Sequence, residues 1–115
     1  MEILKLKKLI EKTLNLNKAQ EIVSINLKNK SYIADYMIIA SGTSSKHIQS
    51  LSEILLTTIE SKGYGKFKIE GQTSDDWKLI DTIDVIIHIF QPEKRKFYDI
   101  EKMWSEPEFN ERLEL

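Results

Sequence analysis

Three groups of residues have types and spacing that could support chemistry. The first is the small-residue turn Ser41-Gly42-Thr43-Ser44-Ser45, between an apolar run and an amphipathic stretch. Backbone N–H groups at a helix N-terminus can hold a phosphate. The glycine spacing matches neither the P-loop nor the dinucleotide fingerprint, and no lysine stands where a P-loop requires one. Capping of the next helix by Ser44 or Ser45 is the preferred reading, because such residues ordinarily serve that purpose. The second group is acidic. Asp75 and Asp76 are adjacent in a polar loop, and Asp81 and Asp84 flank a turn. Metal-assisted transfer needs carboxylates that converge on the ion, and no Asp-x-Asp pair alternates along a strand after the Gly-Ser turn. The third is His88, inside the run Val85–Phe90. His47 is the only other histidine and no nucleophile lies near in sequence, so a hydrogen-bonded histidine at a sheet surface is expected rather than a base or ligand. These readings imply no catalytic set, no metal and no cofactor.

Trp77 suggests contact rather than reaction. In an extended Trp77–Asp81, residues 77, 79 and 81 share one face and Lys78 and Ile80 the other. Asp75, Asp76 and Asp81 frame the indole, and tryptophan is enriched where binding energy concentrates. The alternative is that Trp77 closes the core at a sheet end. The acidic frame and a position at a strand edge weigh equally with it.

The elements that must position these groups follow from apolar periodicity. Ile3, Leu6, Leu9, Ile10 and Leu14 recur at helical spacing and should end near Asn15–Asn17. Glu21–Leu27 alternates like a strand. After the polar turn Lys28–Ser31, Tyr32–Ala40 contains an unbroken apolar run suited to a central strand covered on both faces, and the two should pair as a hairpin. Ile48, Leu51, Ile54, Leu55, Thr58 and Ile59 mark a helix over about Lys46–Lys62, with Gly63 just past its end. A short strand at Lys66–Glu70 should complete a parallel crossover. Strands at Trp77–Asp81 and Val85–Phe90 follow, then a helix over Glu93–Trp104 and an acidic tail over 105–115. The order is α-β-β-α-β-β-β-α: an α/β domain over 1–104, with one mixed sheet of about five strands and helices packed on it.

The 115 residues suit one small domain. No apolar run approaches the ~18 residues of a membrane span, and lysines interrupt the N-terminal apolar steps, unlike a signal peptide. With no cysteine, disulfides and thiolate sites are excluded and a cytoplasmic or matrix-like compartment is favoured. The net charge is −1, yet residues 1–68 carry +5 and residues 69–115 carry −6. An acidic half repels nucleic acid and attracts basic surfaces. The lysines of the first half are not interleaved with aromatic residues, which argues against direct RNA binding.

Four stretches together resemble the ribosomal silencing factors, the Iojap family. They are DYMIIASGTSSKH at Asp35–His47, EGQTSDDWKLID at Glu70–Asp81, DVIIHIF at Asp84–Phe90 and RKFYDIEKMW at Arg95–Trp104. In one departure, Ile83 stands where the family's D-x-G-D turn has glycine. Glycine permits φ above zero and isoleucine resists it, so the departure bears on the turn geometry. The resemblance implies a nucleotidyltransferase-like fold without catalytic carboxylates. It also implies a non-enzymatic factor that binds the large ribosomal subunit through the basic ribosomal protein L-fourteen, and so obstructs joining of the small subunit when nutrients are short. On that reading Trp77 and Leu79 supply apolar contact, Asp75, Asp76, Asp81 and Glu101 meet basic side chains, and Tyr98 adds area and a hydroxyl. A monomer and a homodimer are both compatible with it. A metal-dependent nucleotidyltransferase-like enzyme using Ser41–Ser45 and an acidic pair is the alternative from another class.

Overall fold

The computed structural model describes residues 2–28 and 34–93. The expected helix over 93–104 and the tail over 105–115 lie outside the described residues, apart from Glu93. The elements run α1 (Glu2–Leu16), β1 (Gln20–Asn26), β2 (Tyr36–Ser41), α2 (Ser45–Ser61), β3 (Ile69–Glu70), β4 (Trp77–Asp81) and β5 (Val85–Phe90). The five strands form one mixed sheet in the order β1-β2-β5-β4-β3.

β1 and β2 make the expected antiparallel hairpin, with a bulge between Gln20 and Val23 where Glu21 takes φ +48°. β2 lies parallel to β5, and β4 is antiparallel to both β5 and β3. The chain leaving β2 through α2 therefore does reach a parallel strand, but β5 and β4 intervene. The neighbour of β2 is β5, because β2 and β5 are the most completely apolar strands and so occupy the middle. β3 is shorter than the sequence suggests. Only Ile69 and Glu70 pair, and Gly65 before them takes φ +123°, which keeps that approach out of extended pairing.

All six residues of β2 are buried, as a strand covered on both faces requires. One face carries Ile38, Ala40, Ile80, Val85, Ile87 and Ile89 and packs against Leu6, Ile10 and Leu14 of α1 and Ile48, Leu51, Leu55 and Ile59 of α2. The other carries Ile25, Met37, Ile39 and Phe90, joined by the partly buried Val23 and Trp77. Both helices end in the same motif. In α2, Gly63 takes φ +85° and Tyr64 N–H donates to Ile59 O at 3.1 Å. In α1, Lys18 takes φ +65° and Ala19 N–H donates to Leu14 O at 2.9 Å, so a lysine does what glycine does in α2. Ser24 in β1 donates its hydroxyl hydrogen bond to the Glu11 carboxylate, which also meets Lys7 at 2.9 Å. Partial burial pushes Glu11 up, but Ser24 and Lys7 outweigh it and hold the carboxyl below its usual range. Among the described residues no helix is long and apolar enough to cross a membrane.

Candidate docking site

The turn after β2 is a helix cap. Ser44 is the N-cap of α2, in extended conformation, and its hydroxyl accepts from His47 N–H at 3.1 Å. His47 folds back over the same turn: its Nδ1 accepts from Thr43 N–H at 2.9 Å, and its Nε2 lies 2.9 Å from Asn17 O. That pairing requires the tautomer with the proton on Nε2, and it ties the turn to the end of α1. Gly42 is needed for space, since a Cβ there would stand 2.8 Å from Ile48 Cγ1. The small residues are thus used to turn the chain tightly and start a helix. Among the described residues, no three His, Asp or Glu side chains gather as metal ligands would.

The acidic and aromatic residues come together around β4. Trp77 pairs with Phe90, Leu79 with His88 and Asp81 with Ile86, so all six lie on the sheet face turned away from α1 and α2. Trp77 and Leu79 are half-buried and Asp81 is exposed. β3 reaches β4 only at Leu79 and Ile80. Ladder pairing therefore stops short of Trp77, where Gly71 packs against the indole and the Trp77 carbonyl, so the edge there is covered by the loop. The indole is partly packed and partly presented: it joins Phe90 in the second core while remaining accessible. Asp75 is exposed and Asp76 half-buried, immediately before the indole. Tyr98 and Glu101 lie outside the described residues.

What holds this group is a mooring that sequence reasoning missed. Lys78 alternates with Trp77 and points to the helix-covered face, where it is 2% exposed. Its Nζ donates to Gly71 O at 2.6 Å, to Gln72 O at 3.1 Å and to Ser74 O, so all three ammonium donors are used. On the other side, Gln91 donates through N–H to Asp76 O at 3.0 Å and through Nε2 to Asp75 O at 2.6 Å. Gly71 takes φ +82°, and a Cβ there would lie 2.8 Å from Trp77 Cζ3. The loop Gly71–Asp76 is therefore clamped against the indole, and the two aspartates are delivered in a fixed place. The available signal was a lone lysine at an inward strand position after a run of small polar residues.

The His88 ring is packed against an aromatic neighbour. Among the described residues its ring makes no hydrogen bond; it stacks on Phe90 with centroids 5.8 Å apart and 8° between planes. Desolvation pulls its pKa down to about 4, so the imidazole is neutral at pH 7. The sign for stability follows from linkage. An unfolded histidine takes a proton near 6.5 and the folded one resists until about 4, so stability is full above 6.5 and falls as pH drops through that interval. Unfolding at pH 5 should show about 1–2 kcal/mol less stability than at pH 7.5. In His88→Phe, which preserves the stacking and removes the titration, urea melts at the two pH values should differ by correspondingly less.

The α/β sheet thus caps its Gly-Ser turn and clamps an acidic loop beside a half-buried indole. The family described as ribosomal silencing factor during starvation matches residues 1–114, and this chain belongs to it. Among similar proteins, the ribosomal silencing factor of Zymomonas mobilis is 46% identical over 85% of this chain and 74% of its own. That of Haemophilus influenzae is 37% identical over 81% and 91%. A mouse protein named for mitochondrial assembly of the ribosomal large subunit is 32% identical, and its match to 83% of this chain takes up 43% of its length. The fold is likewise similar to the X-ray crystal structure of a Chromobacterium violaceum protein, with a TM-score of 0.86 at 30% identity, covering 90% of this chain and 87% of that one.

Proposed function

We propose that this protein is a cytoplasmic translation repressor that binds the large ribosomal subunit through ribosomal protein L-fourteen and sterically prevents the small subunit from joining when nutrients are limiting. The observation that carries this reading is the clamped acidic loop beside Trp77. Asp75 and Asp81 are exposed, and Trp77 and Leu79 are half-buried between them. Carboxylates of this kind attract a basic protein surface and orient it, while the indole supplies desolvated contact. Asp76, with Tyr98 and Glu101 from beyond the described residues, completes the proposed contact set. A standard interface hides ~800 Å² on each partner, which a patch of this width can provide. Family membership supports the ribosome as the target, and the name of the mouse relative supports the large subunit in particular. Obstruction by a bound body of 13.5 kDa needs no bond made or broken.

The test is sedimentation. Purified large subunits mixed with the protein should carry it into the pellet, and large plus small subunits should form fewer joined ribosomes in its presence. Large subunits lacking L-fourteen should not carry it. Pelleting that is indifferent to L-fourteen would remove the proposed partner, and unchanged joining would remove the proposed mechanism.

A further inference from the structure

The turn between β4 and β5 carries a side chain at odds with its own backbone. Thr82 N–H donates to Val85 O at 3.0 Å and Thr82 Oγ1 to the same oxygen at 2.7 Å, closing a hairpin whose two loop residues are Ile83 and Asp84. Ile83 takes φ +78°, while Asp84 is not among the positive-φ residues. Positive φ at the first loop residue is a conformation that glycine adopts freely and a Cβ resists. A β-branched residue there is a true outlier, at a cost of order 1–3 kcal/mol. The surroundings hold the turn in place: Asp81 Oδ1 accepts from Ile83 N–H at 2.8 Å, and Asp84 O accepts from Asp35 N–H at 2.9 Å and from Tyr36 N–H at 3.2 Å. Burial does not offset the strain, because Ile83 is 72% exposed, more than any other large hydrophobic residue described.

We infer that Ile83 is a partner-contacting residue, an apolar knob between Asp81 and Asp84 that enters an apolar depression on a basic protein surface. This extends the docking face from Trp77 to the far end of β4, and it rests on the proposed function. The occupant is set by what surrounds the isoleucine. Asp81 is exposed and Asp84 half-buried on either side, so a complementary surface must be basic around an apolar centre. The distance also fits. Trp77 and Asp81 are four residues apart on one strand, ~13 Å, and a compact patch of ~800 Å² is about 30 Å across. A strained, exposed apolar side chain flanked by two carboxylates is suited to contact outside the molecule.

The experiment pairs stability with docking in Ile83→Gly and Ile83→Asn, both of which accept positive φ. Ile83→Gly should raise Tm by roughly 4 °C through relief of strain. In sedimentation with large subunits, both variants should bind about tenfold more weakly than wild type, the effect of losing one buried aliphatic side chain. A more stable but weaker-binding protein is a result that general damage cannot produce. Wild-type affinity in either variant, or no gain in Tm for Ile83→Gly, overturns the inference while leaving the proposed function standing. If wild type itself fails to pellet with large subunits, both fall together.

Discussion

The double variant Trp77→Ala with Asp75→Lys should no longer pellet with large ribosomal subunits. Truncating an interface tryptophan typically costs 2–4 kcal/mol of binding. Reversing a charge that faces a basic surface adds repulsion and slows association. Together the loss should exceed about a hundredfold at moderate salt. The single variants separate the two effects. Asp75 is exposed, and its backbone carbonyl rather than its carboxylate holds Gln91. Asp75→Lys should therefore keep the wild-type melting temperature and lose affinity mainly at low ionic strength, where screening is weakest. Trp77→Ala should lose affinity at every salt concentration. It should also lower stability by about 2 kcal/mol, since the indole is part of the second core and fills the space that Gly71 leaves open. Binding is therefore read below the unfolding range of each variant. A folded double variant that still pellets like wild type would show that the docking face lies elsewhere.

The sequence carried the fold further than it carried the site, for physical reasons. Strands and helices announce themselves by period, and here the periods were clean: β2 is apolar throughout because it is covered on both faces, and α2 shows one stripe because it is covered on one. Gly63 marked a helix end because αL conformation favours glycine, but Lys18 takes the same conformation at the end of α1 without announcing it. Sheet order was not legible, because it depends on which strands pair across long loops, and β2 beside β5 joins residues almost fifty positions apart. In the site, the face shared by Trp77, Leu79 and Asp81 could be read from alternation alone. Residue type gave no warning that His88 stacks on Phe90. Lys78 was passed over because a strand lysine normally points outward, and nothing local shows that three carbonyls await it. Ile83 was legible as a conflict: the residue opposed the turn, and the turn prevailed because Thr82, Asp81 and Asp84 each hold it by hydrogen bonds.

Lys78→Met should be strongly destabilising, although Lys78 lies outside the proposed contact set. Methionine matches the aliphatic stem and can stay beside Ile80, so the change isolates the loss of the ammonium donors. Those donors serve the carbonyls of Gly71, Gln72 and Ser74, all within the segment that precedes Trp77. Deprived of them, the oxygens must find water or remain unpaired, at about 1–3 kcal/mol for each that stays buried. Gln72 is exposed and can be hydrated, whereas Gly71 and Ser74 are partly covered, so a total near 3 kcal/mol is expected. For a domain of this size that lowers Tm by roughly 10 °C. The functional consequence follows from position. With the Lys78 bonds gone, the loop no longer presses on the indole, and hydrogen exchange at Ser74 and Asp76 N–H, bonded to Gly71 O and Ser74 Oγ, should accelerate well beyond that of β2 and β5. Affinity for large subunits should fall several-fold at temperatures where the variant is fully folded, because a mobile anchor must be ordered on binding. Should Lys78→Met keep the wild-type Tm and amide protection, the mooring is not what fixes the acidic loop. Should it lose both and still bind as tightly as wild type, the loop is not part of the docking face.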